Sequence, residues 1–152
     1  MSASLVGSEM CIRDRYWLRE ILNKMYKNDI NGLGGNDDCG QMSAWYLFSV
    51  MGFYPVCPGT DQYVLGAPYL PYLKMTLPNG KTLEIKAPGV SDKKRYVQSL
   101  KLNGKVYDKM YITHEDILKG GVLEFKMGAS PNKRRGLSPE DKPYSLTNGI
   151  NE

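Results

Sequence analysis

Between Gly34 and Gln41 the chain places two glycines, a carboxamide, two carboxylates and a thiol in sequence: Gly34, Gly35, Asn36, Asp37, Asp38, Cys39, Gly40, Gln41. Glycines let backbone approach a ligand, and Asn36, Asp37 and Asp38 are groups that bind hydroxyls, water or a hard cation. One chemical use is general-base catalysis by a carboxylate; another is help in holding a sugar or Ca2+. The structural use is equally concrete. Asp38 stands three residues before Gln41, the spacing of a cap in which the carboxylate accepts helix N–H bonds and Gln reaches back. On composition alone capping is the commoner use, and a helix N-terminus can also hold a catalytic carboxylate in place. The spacing of an EF-hand loop is absent.

The elements that must position this loop follow from periodicity. Residues 16–26 read as an amphipathic helix, with Trp17, Ile21 and Met25 beside Leu18 and Leu22 and with Arg19, Glu20, Asn23 and Lys24 on the other side. A long loop is expected over 28–40, then a second helix over 41–51, stopped by Gly52 and Pro55. That helix is apolar nearly all round, Ser43 and Ser49 being its polar interruptions, so it calls for cover from partner helices or from the strands that follow. Trp17, Trp45 and Tyr46 are expected to serve mainly as core. Short strands are expected at 63–65, 72–77, 82–86, 96–102, 106–112 and 122–127, with hairpin turns at Asn79-Gly80 and Asn103-Gly104. Six short strands at this spacing suit an antiparallel sandwich or jelly-roll-like module over 58–129, and 130–152 reads as a polar C-terminal tail.

Composition narrows the classes. The 152 residues are 41% hydrophobic and 24% charged, with 16 Gly, 9 Pro and 11 Tyr against 3 Phe, as in a turn-rich globular protein. The net charge of +4 is spread without a basic stripe, so no nucleic-acid partner is expected. The apolar run from Ala44 to Cys57 is shorter than the ~20 residues of a membrane span. Three irregularly spaced cysteines make neither a disulfide framework nor a zinc pattern, and Cys39 is expected to be a free thiol packed beneath the loop. The single histidine, His114, is expected to be structural, on a strand leading into a turn. Residues 1–15 lack an apolar signal core and a clear period, and residues 5–15 resemble a translated sequencing adapter, so 1–15 is expected to be a non-native leader.

The run from Gly35 through Tyr46, continuing to Gly52-Phe53-Tyr54-Pro55 and to Tyr63-Val64-Leu65-Gly66-Ala67-Pro68, resembles the C-terminal part of glycoside hydrolase family 92. Tyr96–Ser99, Leu102–Lys105, His114–Ile117, Gly120-Gly121, Met127-Gly128 and Pro131-Asn132 fit in order, so the resemblance covers roughly 16–146. It implies an α+β fragment: the terminal helices of an (α/α)6 toroid with an active-site loop (16–57), then the antiparallel β module. It also implies a bacterial, calcium-dependent, inverting exo-α-mannosidase that acts on terminal α-mannosides of N-glycan or yeast-mannan type. By motif the general base falls on Asp38, and Asn36 occupies a position that is acidic in relatives. Asp37 is expected to anchor the loop or, with Gly35, to bind substrate. The general acid and most ligands of the Ca2+ are expected upstream of this chain, which implies that the chain alone is inactive and that the missing N-terminal part is its partner. An extracytoplasmic location is implied. The alternatives from other classes are a non-catalytic carbohydrate-binding β-sandwich preceded by two helices, and a structural module docked on a partner subunit.

Overall fold

A computed structural model describes residues 9–145. The first helix, α1, spans Glu9–Met25 and so begins upstream of the expected position 16. Glu9, Met10, Arg13 and Arg15 are good helix formers, and they carry the helix through part of the expected leader; residues 1–8 lie outside the described residues. The chain then turns through Lys27–Gly32, where the Lys27 N–H donates to the Gly32 carbonyl at 2.9 Å. Helix α2 spans Gln41–Met51, the bounds expected from the loop before it and from Gly52 and Pro55 after it, and ends at Gly52 with φ 87°. Gly52 is needed for that backbone angle and also for room, since a Cβ there would lie 2.6 Å from the Pro68 nitrogen.

The strands are β1 (Phe53–Tyr54), β2 (Gln62–Leu65), β3 (Tyr72–Thr76), β4 (Thr82–Lys86), β5 (Tyr96–Leu102), β6 (Lys105–Val106), β7 (Tyr111–Thr113) and β8 (Gly121–Gly128), with a short helix α3 (His114–Lys119) before the last. They form two sheets, ordered β1-β2-β7 and β3-β4-β8-β5-β6. All strand pairs are antiparallel except β4 with β8, which run parallel from the Leu83–Gly121 pair to Lys86–Glu124. Both hairpin turns form where expected; Asn103 (φ 52°) and Gly104 (φ 79°) have the two positive φ values of a type I′ turn.

The expected strand over 106–112 is instead two strands in different sheets. The crossing at Tyr107–Met110 is held by the tail: the Arg135 guanidinium donates to the Tyr107 and Lys109 carbonyls at 3.0 and 3.1 Å, and the Met110 N–H donates to the Asp141 carbonyl at 2.7 Å. Residues 130–145 therefore pack against the module, though they hold only one 3-10 turn; 146–152 lie outside the described residues.

One core runs between the sheets. Leu83 and Ile85 from β4, Val97 and Leu100 from β5, Leu123 and Phe125 from β8, Ile112 from β7 and Phe53 and Leu65 from the smaller sheet are all buried. Strand β4 alternates buried and half-buried positions, the period-2 pattern of a sheet with one face in the core. His114 opens α3 rather than lying on a strand that leads into a turn, and its Nδ1 is hydrogen-bonded to the Tyr63 hydroxyl at 3.0 Å.

Candidate functional site

The loop is built by close contacts. Gly32 has no room for a Cβ, which would meet the Lys27 carbonyl oxygen, and Gly34 rests on Met25. Gly35 and Asn36 are exposed, Asp37 is half-buried, and a 3-10 turn follows over Asp38–Gly40. Inside it Cys39 (φ 55°) and Gly40 (φ 82°) are both left-handed, which costs a non-glycine residue on the order of 1 kcal/mol or more.

That double left-handed step decides which carboxylate caps α2. Asp37 does: its Oδ1 accepts the N–H of Met42 at 2.8 Å and of Ser43 at 3.2 Å, and its Oδ2 accepts the Ser43 hydroxyl. The expected cap from Asp38, with Gln41 reaching back, does not form. The Ser43 hydroxyl, and then the Ser43 and Met42 amides, hold the Asp37 carboxyl below its ordinary value against partial desolvation. Asp37 thus anchors the loop. Asp38 is exposed, and among the described residues its carboxylate makes no hydrogen bond or ion pair; only its carbonyl is engaged, by the Gln41 N–H. The structure therefore leaves the Asp38 carboxylate with its full acceptor capacity, and Asn36 and Gly35 just before it in the loop are exposed as well.

Cys39 is exposed rather than packed beneath the loop, because its left-handed backbone carries it out with the turn. Cys39 and Cys57 are both free thiols.

Behind the loop stands Tyr26. Its ring lies 5.5 Å from Trp45 at an interplanar angle of 15°, and 5.0 Å from Tyr46, while its hydroxyl donates to the Met42 carbonyl at 3.3 Å. Burial, then the neighbouring Asp37 carboxylate, pushes the Tyr26 phenol up, which keeps it a neutral donor. Tyr26 and Ser43 are site residues that periodicity does not single out. The signal available for Ser43 was its place as a polar side chain in the first turn of an otherwise apolar helix.

Trp45 and Tyr46 are half-buried, and Trp17 is 62% exposed, so these rings are not the core that was expected. Only Ser49 and Val50 of α2 are buried, and Leu47 is 61% exposed. Trp17, Ile21, Trp45 and Val56 line an open apolar groove between α1 and α2. The strands that follow cover one side of α2 and leave the other bare.

A carboxylate with open lone pairs can take a proton from water, but an inverting displacement also needs an acid at roughly 6.5–9.5 Å. Glu20 is not that acid. It is engaged by Lys24 at 2.9 Å and Arg95 at 3.3 Å, and the hydrogen bond from Lys24 is the first cause of its lowered pKa. Among the described residues no three His, Cys, Asp or Glu side chains converge as a metal site, so this stretch does not by itself fit a complete calcium site.

The model of the glycosyl hydrolase family 92 catalytic domain matches residues 13–129. Two solved structures from Bacteroides thetaiotaomicron are similar. A family 92 alpha-mannosidase in complex with mannoimidazole is 43% identical with a TM-score of 0.85, over 90% of this chain and 18% of that one. A family 92 inverting mannosidase is 39% identical with a TM-score of 0.82, over 90% of this chain and 19% of that one. A protein of Arthroderma benhamiae described as an uncharacterized secreted glycosidase is 34% identical over 128 residues, 82% of this chain and 16% of that protein. The chain spans less than a fifth of the length of each of these relatives. A family match over more than half the chain, on the same α+β scaffold that carries the exposed carboxylate loop, places this chain in glycosyl hydrolase family 92.

Proposed function

We propose that the chain forms part of an exo-acting α-mannosidase that hydrolyses terminal α-mannosides of N-glycan or yeast-mannan type by single-displacement inversion, with Asp38 as the general base. The observation that carries this is the division of labour in the loop: Asp37 takes the capping bonds, and Asp38 is left exposed with its carboxylate unengaged. A carboxylate so placed accepts a proton from a water molecule as that water attacks the anomeric carbon from the face opposite the leaving group. Asn36, which the family resemblance puts at an otherwise acidic position, would orient the same water as a neutral hydrogen-bonding partner. Gly35 lets the sugar approach the backbone. The similarity to an alpha-mannosidase and to an inverting mannosidase supports both the substrate class and the stereochemistry.

The general acid lies outside this chain in the proposal, so the chain alone is inactive, and the apolar face of α1 and α2 is where the rest of the catalytic domain packs. The calcium ion that the family resemblance implies is assigned to ligands mostly outside this stretch, and no step here runs through it. A secreted relative supports an extracytoplasmic location, and among the described residues no helix is long and apolar enough to cross a membrane.

The test is hydrolysis of an α-1,2-mannobioside by a full-length family 92 protein carrying this chain. Asp38→Ala is expected to lower kcat by about 10²–10⁴-fold, the usual range for loss of a general base, with little change in folding. The first-formed anomer, read by NMR, should be inverted. Wild-type turnover in Asp38→Ala would remove Asp38 from the mechanism. Mannose release by the isolated chain would overturn the missing-acid proposal.

A further inference from the structure

We propose that α1 acts as a splint for α2, and that Tyr26 at its end is a positioning residue for Asp38. The inference rests on the assignment of Asp38 as base and adds what holds it. Met42 is the pivot: its N–H is bound by Asp37 at 2.8 Å and its carbonyl accepts from Tyr26 at 3.3 Å. Tyr26 therefore acts one peptide away from the cap that orders Asp37 and Asp38, and its ring is fixed against Trp45 and Tyr46 on the following turn.

The other end of α2 is held from α1 as well. Arg19 donates to the carbonyls of Pro68 and Tyr69 at 3.2 and 3.3 Å, and the Tyr69 N–H donates to the Val50 carbonyl at 3.0 Å. From Arg19 to Tyr26 is about 10.5 Å of helix rise, and from Met42 to Val50 about 12 Å. The two hold points are thus matched in spacing and opposite in chain order, as two antiparallel rods tied at both ends would be. The groove between the rods is apolar and lacks the polar contacts found at the ties.

A double-mutant cycle in a full-length family 92 protein carrying this chain tests it. Tyr26→Ala is expected to lower kcat about ten- to hundredfold at nearly unchanged KM, the scale of a misplacement of about 1 Å. In the Asp38→Ala background the same change should not lower the residual rate further, while the fall in thermal midpoint stays the same in both backgrounds. Tyr26→Phe keeps the ring stack and should lose less. An equal kcat loss in both backgrounds, or an effect on KM alone, would overturn the positioning role. If Asp38→Ala leaves turnover intact, the base assignment fails on its own, and the splint is then judged by amide exchange in this chain. Tyr26→Ala should speed exchange at Met42 and Ser43, and unchanged protection there would overturn it.

Discussion

Asp37 and Ser43 are joined twice, the Ser43 N–H reaching Asp37 Oδ1 at 3.2 Å and its hydroxyl reaching Oδ2. Both bonds favour the ionised carboxylate, so the folded-state pKa of Asp37 lies below its unfolded value. The stability this adds is present above the unfolded value, about 3.9, and is lost as pH falls through the lower folded value. Protection of the Met42 and Ser43 amides, corrected for intrinsic exchange, is expected to hold to about pH 4 and to fall below it. In Asp37→Asn protection should be lower at neutral pH and flat through the acid range. An acid transition that persists in Asp37→Asn would assign it to another group.

Arg19 is 5% exposed, with its guanidinium 4.4 Å from the centre of the Tyr69 ring and its N–H groups on two backbone carbonyls. Arg19→Met leaves the Pro68 and Tyr69 carbonyls without these donors, which costs about 1–3 kcal/mol in urea unfolding. Arg19→Lys should recover only part of the loss, since an ammonium cannot serve both carbonyls and stack on the ring at once. Full recovery by Lys would mean that charge alone, and not the planar fork, holds α1 to the β module.

What could be read from the sequence was local. The 41–51 helix stands between a glycine that must be left-handed and a nearby proline, the Asn103-Gly104 turn carries its conformation in two residues, and the Pro78–Gly80 turn closes on a left-handed Gly80. The exchange of capping roles between Asp38 and Asp37 was hidden because it depends on the backbone angles of Cys39 and Gly40. The break in the 106–112 strand comes from Arg135, far along the chain. The parallel pairing of β4 with β8 has no signature in either strand alone. The family motif named Asp38 but gave no account of Tyr26, whose part is visible only once its hydroxyl is seen on Met42.

Gly40 and Gly121 both have positive φ, but a side chain is costly at each for a different reason. Gly40→Ala meets no atom within 4 Å of the new Cβ, so any loss comes from the left-handed backbone alone, about 1–2 kcal/mol. Gly121→Ala is different in kind, because its Cβ would collide with the Asn103 side chain that accepts the Val122 N–H at 2.8 Å. It should cost more and should also disturb the β5–β8 pairing. Urea midpoints give the energies, and the Val122 amide shift separates the two causes.

Leu47 decides what covers α2. It is 61% exposed here, so Leu47→Ala should change the unfolding free energy of this chain by no more than about 0.5 kcal/mol. Phe125→Ala, in the centre of the core, should cost about 3–5 kcal/mol and serves as the control for a buried site. In a full-length family 92 protein carrying this chain the two positions should converge. If the rest of the catalytic domain packs on the bare side of α2, Leu47 becomes a core residue and its truncation costs about 2–5 kcal/mol. Trp17, exposed on the wall of the apolar groove between α1 and α2, should respond in the same way in both settings if that groove is covered too. A Leu47→Ala effect that stays near zero in the longer protein would leave that side of α2 facing solvent, and the rest of the catalytic domain would then pack elsewhere.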